Sequence, residues 1–111
     1  MRQVLQSAAA TEVDLLAAAV LGCPAVVSLH PGGPHYVATY LPGRRVGGVR
    51  VDDTVVEVAV VAAAGIPVHS VAAQVRSAVA ALAAGRAVDV HIADVAPPGE
   101  RGSARLRAGP T

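Results

Sequence analysis

The sequence predicts an α+β fold: a two-layer sandwich in which a mixed sheet of about five strands carries two helices on one face, in the order α-β-β-β-β-α-β. Three observations carry that prediction. Apolar residues recur at helical spacing in Val13, Leu16, Ala17, Val20, Leu21 and again in Val68, Val71, Ala72, Val75, Ala78, Val79, Leu82. They alternate at strand spacing in 54–62 and in Val88, Val90, Ile92. The second helix lies between those two strands, which makes a βαβ unit with parallel strands and the helix over the Val56/Val88 face.

Thr11 with Asp14 three positions later resembles a helix N-cap, so the first helix is expected over 11–21, with 1–10 as an N-terminal extension. Gly22 and Pro24 end it, and Ala25 to His30 reads as a strand. Pro31-Gly32-Gly33-Pro34 and Pro42-Gly43 are turn signals that mark off strands at His35–Leu41 and Val46–Val51. Asp52-Asp53 connects to Thr54–Ala62, the most β-branched stretch and the expected central strand. Gly65-Ile66-Pro67 breaks the chain before a helix over 68–84, and Gly85 stops that helix before a strand over 87–95. A single domain therefore spans 11–95, and the Pro-, Gly- and Arg-rich residues 96–111 read as a flexible tail.

Composition limits what the domain can do. Of 111 residues, 53% are hydrophobic, yet there is no Phe or Trp and only two Tyr, so the core is built from small side chains. A small domain already buries a low fraction of its surface, and self-association would compensate for a thin core. No apolar run approaches the roughly 20 residues needed to cross a bilayer, because Gly22, Pro24, Glu57, Gly65, Pro67, Gly85 and Arg86 interrupt every candidate. Arg2, Gln3, Gln6, Glu12 and Asp14 do not suit a secretory signal. Cys23 has no second cysteine to pair with, which fits a reducing compartment, and a cytoplasmic location is expected. The net charge of +1 is spread without a block of one sign.

In chain order, Gly48-Val49-Arg50-Val51, the strand Val55-Val56-Glu57-Val58-Ala59-Val60-Val61, the breaker Gly65-Ile66-Pro67, the helix through Val71, Val75, Val79 and Leu82, and Val88-Asp89-Val90-His91-Ile92-Ala93-Asp94-Val95 resemble the alkaline shock protein family, also described as envelope stress response proteins. The resemblance covers 46–95 well and 13–30 more loosely, and the Arg-only, Ala- and Val-rich usage is similar to that of a GC-rich bacterium. It departs at Ala64, where the family often has an aromatic or polar residue, and in its sparse acidic positions. What the resemblance implies is a non-enzymatic cytoplasmic protein of the envelope stress response that self-assembles and can be recruited by a membrane-anchored partner. It brings no catalytic residues.

The residues themselves offer weak alternatives. His30 and His35 flank a turn, but two ligands are too few for a structural zinc site, and neither Cys23 nor His91 stands at a ligand spacing. Asp52-Asp53, Asp89 and Asp94 are placed as turn and surface residues, not as a catalytic pair. Cys23 beside a helix end and Pro24 reads as a packed thiol. The glycine- and arginine-rich 43–48 lies between two strands, not before a helix where phosphates are cradled. With stacking aromatics limited to Tyr36 and Tyr40, nucleic-acid recognition by these residues, Arg50 and the tail arginines Arg101, Arg105 and Arg107 is poorly equipped. No cofactor, metal or catalytic group is expected. The candidate interface is a partly apolar outer sheet face made of Val55, Glu57, Ala59 and Val61 with Tyr36 and Tyr40, which share a face about 13 Å apart along one strand.

Overall fold

A computed structural model describes residues 2–32 and 36–97, with side chains from Thr11 onward. The order of elements is α1 (Arg2–Leu21), β1 (Val26–Leu29), β2 (Ala38–Leu41), β3 (Arg44–Gly47), β4 (Val49–Val51), β5 (Val55–Ala62), α2 (Val68–Ala83) and β6 (Ala87–Val95). This is the expected α+β class.

β5 is the axis of the sheet. Along one edge it pairs parallel with β6 over its whole length, from Val55 against Ala87 to Ala62 against Val95. Two short antiparallel strands share its other edge end to end: β4 lies against Val56–Val58 and β1 against Val60–Ala62. Ala59 sits at the junction, where its N–H donates to the Gly48 carbonyl and its carbonyl accepts the His30 N–H, both at 2.9 Å. Gly48 makes the junction possible. Its φ is +90°, and a Cβ there would lie 2.8 Å from both the Ala59 oxygen and Leu29 Cβ. Val27 in β1 is an extra residue opposite the Val61/Ala62 step and Ala93 in β6 one opposite the Val60/Val61 step, so both neighbours of β5 carry a bulge near its C-terminal end.

The hairpin of β2 and β3 forms a separate two-stranded ribbon. It is tied to β4 by Gly48 N–H donating to the Val37 carbonyl and Thr39 Oγ1 donating to the Val49 carbonyl. Arg44, at the start of β3, reaches α1, where its two terminal nitrogens donate to the two oxygens of Asp14 at 3.1 and 2.8 Å. That hydrogen-bonded pair holds the Asp14 carboxyl below its usual range.

Both helices cover one face of the sheet. Val13, Leu16 and Val20 of α1 and Val71, Val75, Val79 and Ala83 of α2 pack with Val26, Val49, Val56, Val58, Val60 and Ala62. Val88, Val90 and Ile92 of β6 flank that core half-buried. Leu21, expected in the apolar stripe of α1, is instead 46% exposed. The C-terminus of α2 closes on Ala84 in the left-handed region. Arg86 then folds back, donating from Nε to the Ala83 carbonyl and from Nη2 to the Leu82 carbonyl and to Glu12 Oε2. A cation on the final carbonyls of one helix thus also ties it to the other.

Several boundaries differ from expectation. α1 begins at Arg2 and passes through Thr11 without a cap, because Arg, Gln, Leu and Ala in 2–10 propagate a helix at little cost once a packed segment nucleates it. The single strand expected over 46–51 is split into β3 and β4 by the backbone turn at Gly48, which makes six strands among the described residues where about five were expected. β2 starts at Ala38, so Tyr36 precedes the strand. Ala96, expected in the tail, is buried and its N–H donates to the Ala62 carbonyl; residues 98–111, with Arg101, Arg105 and Arg107, lie outside the described residues, as does His35.

The β4–β5 turn is held by Asp52, whose Oδ1 accepts the N–H groups of Thr54 and Val55, both at 2.8 Å. Those hydrogen bonds, Thr54 first, hold its pKa below the ordinary carboxylate value. A depressed folded-state pKa contributes stability above the unfolded value and loses it as pH falls through the folded one. Asp52→Asn is therefore expected to flatten the fall in Tm below about pH 4. Thermal melts of both proteins from neutral to acid pH check this, and an unchanged acid limb would contradict it.

Candidate interaction surface

The alternation of β5 sends Val55, Glu57, Ala59 and Val61 away from the helices, and these residues form the middle of the outer sheet face. The centre of that face is closed by charge. Arg50 stands opposite Glu57 in the β4–β5 register, and its Nε donates to Glu57 Oε1 at 2.7 Å, with Nη2 on the same oxygen. Arg50 Nη1 donates to the Tyr36 carbonyl at 3.0 Å. From the other side, His91 Nε2 lies 3.5 Å from Glu57 Oε2. The Glu57 side chain, 12% exposed, thus has a guanidinium on one oxygen and an imidazole facing the other.

The six interface residues expected from sequence separate into two groups. Ala59 is fully buried and Glu57 nearly so, which leaves neither with surface to offer a partner. Val55 and Val61 are half-buried at the two ends of the face, and Tyr36 and Tyr40 are exposed at its β2 side. The tyrosines do not belong to one strand as expected, because Tyr36 precedes β2. Their hydroxyls instead meet, Tyr40 donating to Tyr36 at 3.4 Å, which pushes the Tyr40 phenol up. Arg45 stacks 5.9 Å from the centre of the Tyr36 ring and donates to its hydroxyl.

Four of the described arginines have side-chain partners of their own. Arg44 is engaged by Asp14, Arg45 by Tyr36, Arg50 by Glu57 and Arg86 by Glu12. His30 Nδ1 accepts the Gly32 N–H at 2.8 Å and serves its own turn. Among the described residues no three His, Cys, Asp or Glu side chains are grouped to hold a metal ion. Cys23 is buried, with Sγ on the carbonyls of Ala19 and Gln74, and burial pushes its thiol up, away from the thiolate a nucleophile needs. Beside it an open groove of about 670 Å3 runs between the helices, lined by small residues including Ala18, Ala19, Gly22, Ala73 and Ser77.

The feature that sequence reasoning missed is the far edge of β6. Ala87 N–H donates to the Thr54 carbonyl. In a parallel ladder, Ala87, Asp89 and His91 therefore point their main-chain groups at β5, and Val88, Val90 and Ile92 point theirs outward. No strand of the described residues lies on that side. At one end Arg76 Nε donates to the Val88 carbonyl at 3.3 Å, and at the other Asp94 Oδ1 accepts the Val95 N–H at 2.8 Å. Val95 itself is 49% exposed. The Arg50–Glu57 pair had a readable signal: a tight turn at 52–55 fixes a register in which the two residues face each other.

No protein-family model, curated protein or solved structure matches this chain. Among the described residues no helix is long and apolar enough to cross a membrane.

Proposed function

We propose that this chain is a non-enzymatic association domain that acts by pairing with itself and by binding a partner protein. The carrying observation is the asymmetry of the sheet. One edge of β5 is covered twice, by β1 and β4, whereas β6 on the other edge offers outward N–H and C=O groups with no strand of the described residues beside them. Such an edge is a template for another strand. The thin core of Val and Ala favours the same outcome, because a domain with small buried side chains gains more from added interface.

The resemblance to alkaline shock proteins supports a cytoplasmic role in the envelope stress response, with a membrane-anchored protein as the second partner. The outer face contributes Tyr36, Tyr40, Val55 and Val61 as accessible contact residues around the closed Arg50–Glu57–His91 centre. Size-exclusion chromatography with light scattering tests the self-association: the mass of the full chain rises above 11.0 kDa as concentration increases. A mass that stays at the single-chain value at every concentration would overturn it.

A further inference from the structure

We infer that the partner on the β6 edge is a second copy of this chain, its β6 running antiparallel to the first about a two-fold axis through Val90. The inference rests on the self-association just proposed and specifies where it occurs and in which register.

The outward main-chain groups of Val88, Val90 and Ile92 restrict antiparallel self-pairing to centres that bring these residues opposite one another. Three centres set at least two of these residues against one another. An axis through Asp89 opposes two aspartates, which is unfavourable on an exposed face. An axis through His91 opposes the two histidines, sets Asp89 against Ala93 and places Val88 against Asp94. An axis through Val90 alone matches every pair: Val90 meets Val90, Val88 meets Ile92, Asp89 meets His91 and Ala87 meets Ala93. Residues 87–93, Ala-Val-Asp-Val-His-Ile-Ala, are thus complementary to their own reverse. The Val90–Val90 and Val88–Ile92 pairs fall on the helix-covered face and the two Asp–His pairs on the outer face, where Asp89 is exposed and His91 half-exposed.

The surrounding charges suit this register. His91 already faces Glu57, with Arg50 beyond it on the same carboxylate, so Asp89 of the second copy completes an acidic pair around the imidazole. Arg76 sits on the Val88 carbonyl, whose second lone pair is open to the Ile92 N–H of the other chain. Asp94, by taking the Val95 N–H, ends the open stretch just beyond the bulge at Ala93. The ladder joins two sheets into one continuous sheet through a small contact, so the dimer is expected at roughly micromolar or higher concentration.

Amide hydrogen exchange on the full chain at dilute and concentrated protein tests the pairing, with Asp89→Lys as the variant. Asp89 takes no part in the intrachain network above, and the substitution puts two cations against the two histidines. The Val90 and Ile92 amides are expected to exchange roughly ten-fold more slowly in the concentrated sample. Asp89→Lys is expected to keep the thermal melt of the dilute chain and to raise the dimer Kd roughly ten-fold. If the chain associates while those amides exchange at the same rate and Asp89→Lys has no effect, β6 pairing is overturned and the association lies elsewhere. If the chain does not associate at all, both this inference and the self-association proposal fall.

Discussion

Gly48→Ala is expected to be among the most damaging single substitutions in this domain, at a cost of about 3 kcal/mol. Two effects add. A residue with a Cβ held at φ +90° pays about 1–3 kcal/mol of backbone strain. The added methyl would also press on the Ala59 oxygen, Leu29 Cβ and the His30 nitrogen, the atoms that join β1 and β4 along β5. None of these is the far end of a flexible side chain, so relief requires the strands to part. A loss of that size is a large fraction of the roughly 5–15 kcal/mol that holds a typical domain together. Gly43→Ala is the internal control: its φ is +78°, but nothing lies within 4 Å of the added Cβ. Urea denaturation should therefore show Gly43→Ala losing only the backbone-strain part, and Gly48→Ala losing that and the steric part as well. Equal losses would show that steric crowding at the junction contributes nothing.

Arg50→Ala is expected to cost about 2–3 kcal/mol, more than Glu57→Gln at the same pair. The asymmetry follows from burial. Glu57 is 12% exposed and cannot recover its hydration when the guanidinium is removed, whereas Arg50, at 41%, is partly solvated without its partner. Full burial would justify a larger figure, and the exposure of Arg50 reduces it. Replacing both by apolar residues of similar shape, Arg50→Met with Glu57→Leu, should be less damaging than the sum of the single losses, since no charge is then stranded. A double-mutant cycle by chemical denaturation checks this, and strict additivity would show the pair is uncoupled. The double variant also leaves the outer face apolar and should associate more strongly by light scattering.

The parts of the fold legible from sequence are those whose periodicity is set by burial on one side. α2 and β6 show their spacing clearly because Val71, Val75, Val79 and Val88, Val90, Ile92 all face the same core. β1–β3 are short and bounded by glycine and proline, and there the boundaries moved. Gly48 is a case where local sequence is ambiguous: a glycine between valines suits the middle of a strand as well as a sharp turn, and only the approach of Ala59 and Leu29 decides. The start of α1 was obscured because alanine has high helix propensity but carries no face, so 2–10 show no period.

The candidate face was half legible for a related reason. Alternation in β5 gives the side on which Glu57 and Ala59 project, but not what covers them. That cover comes from Arg50 and His91 on neighbouring strands, whose positions depend on register. The open edge of β6 was not readable, because which side of β5 is occupied depends on β1 and β4 meeting end to end at Gly48. Once that topology is known, the complementarity of residues 87–93 with their own reverse is visible in the sequence.

The most direct test of pairing through β6 is an isotope-filtered NOE experiment on a mixture of labelled and unlabelled chain at high concentration. Opposed residues that do not exchange main-chain hydrogen bonds bring their Cα atoms closest in an antiparallel ladder, about 4.5 Å apart. Pairing about Val90 predicts an intermolecular cross-peak between the Hα protons of Asp89 and His91. Intermolecular cross-peaks confined to Tyr40, Val55 and Val61, or none at all, would contradict it.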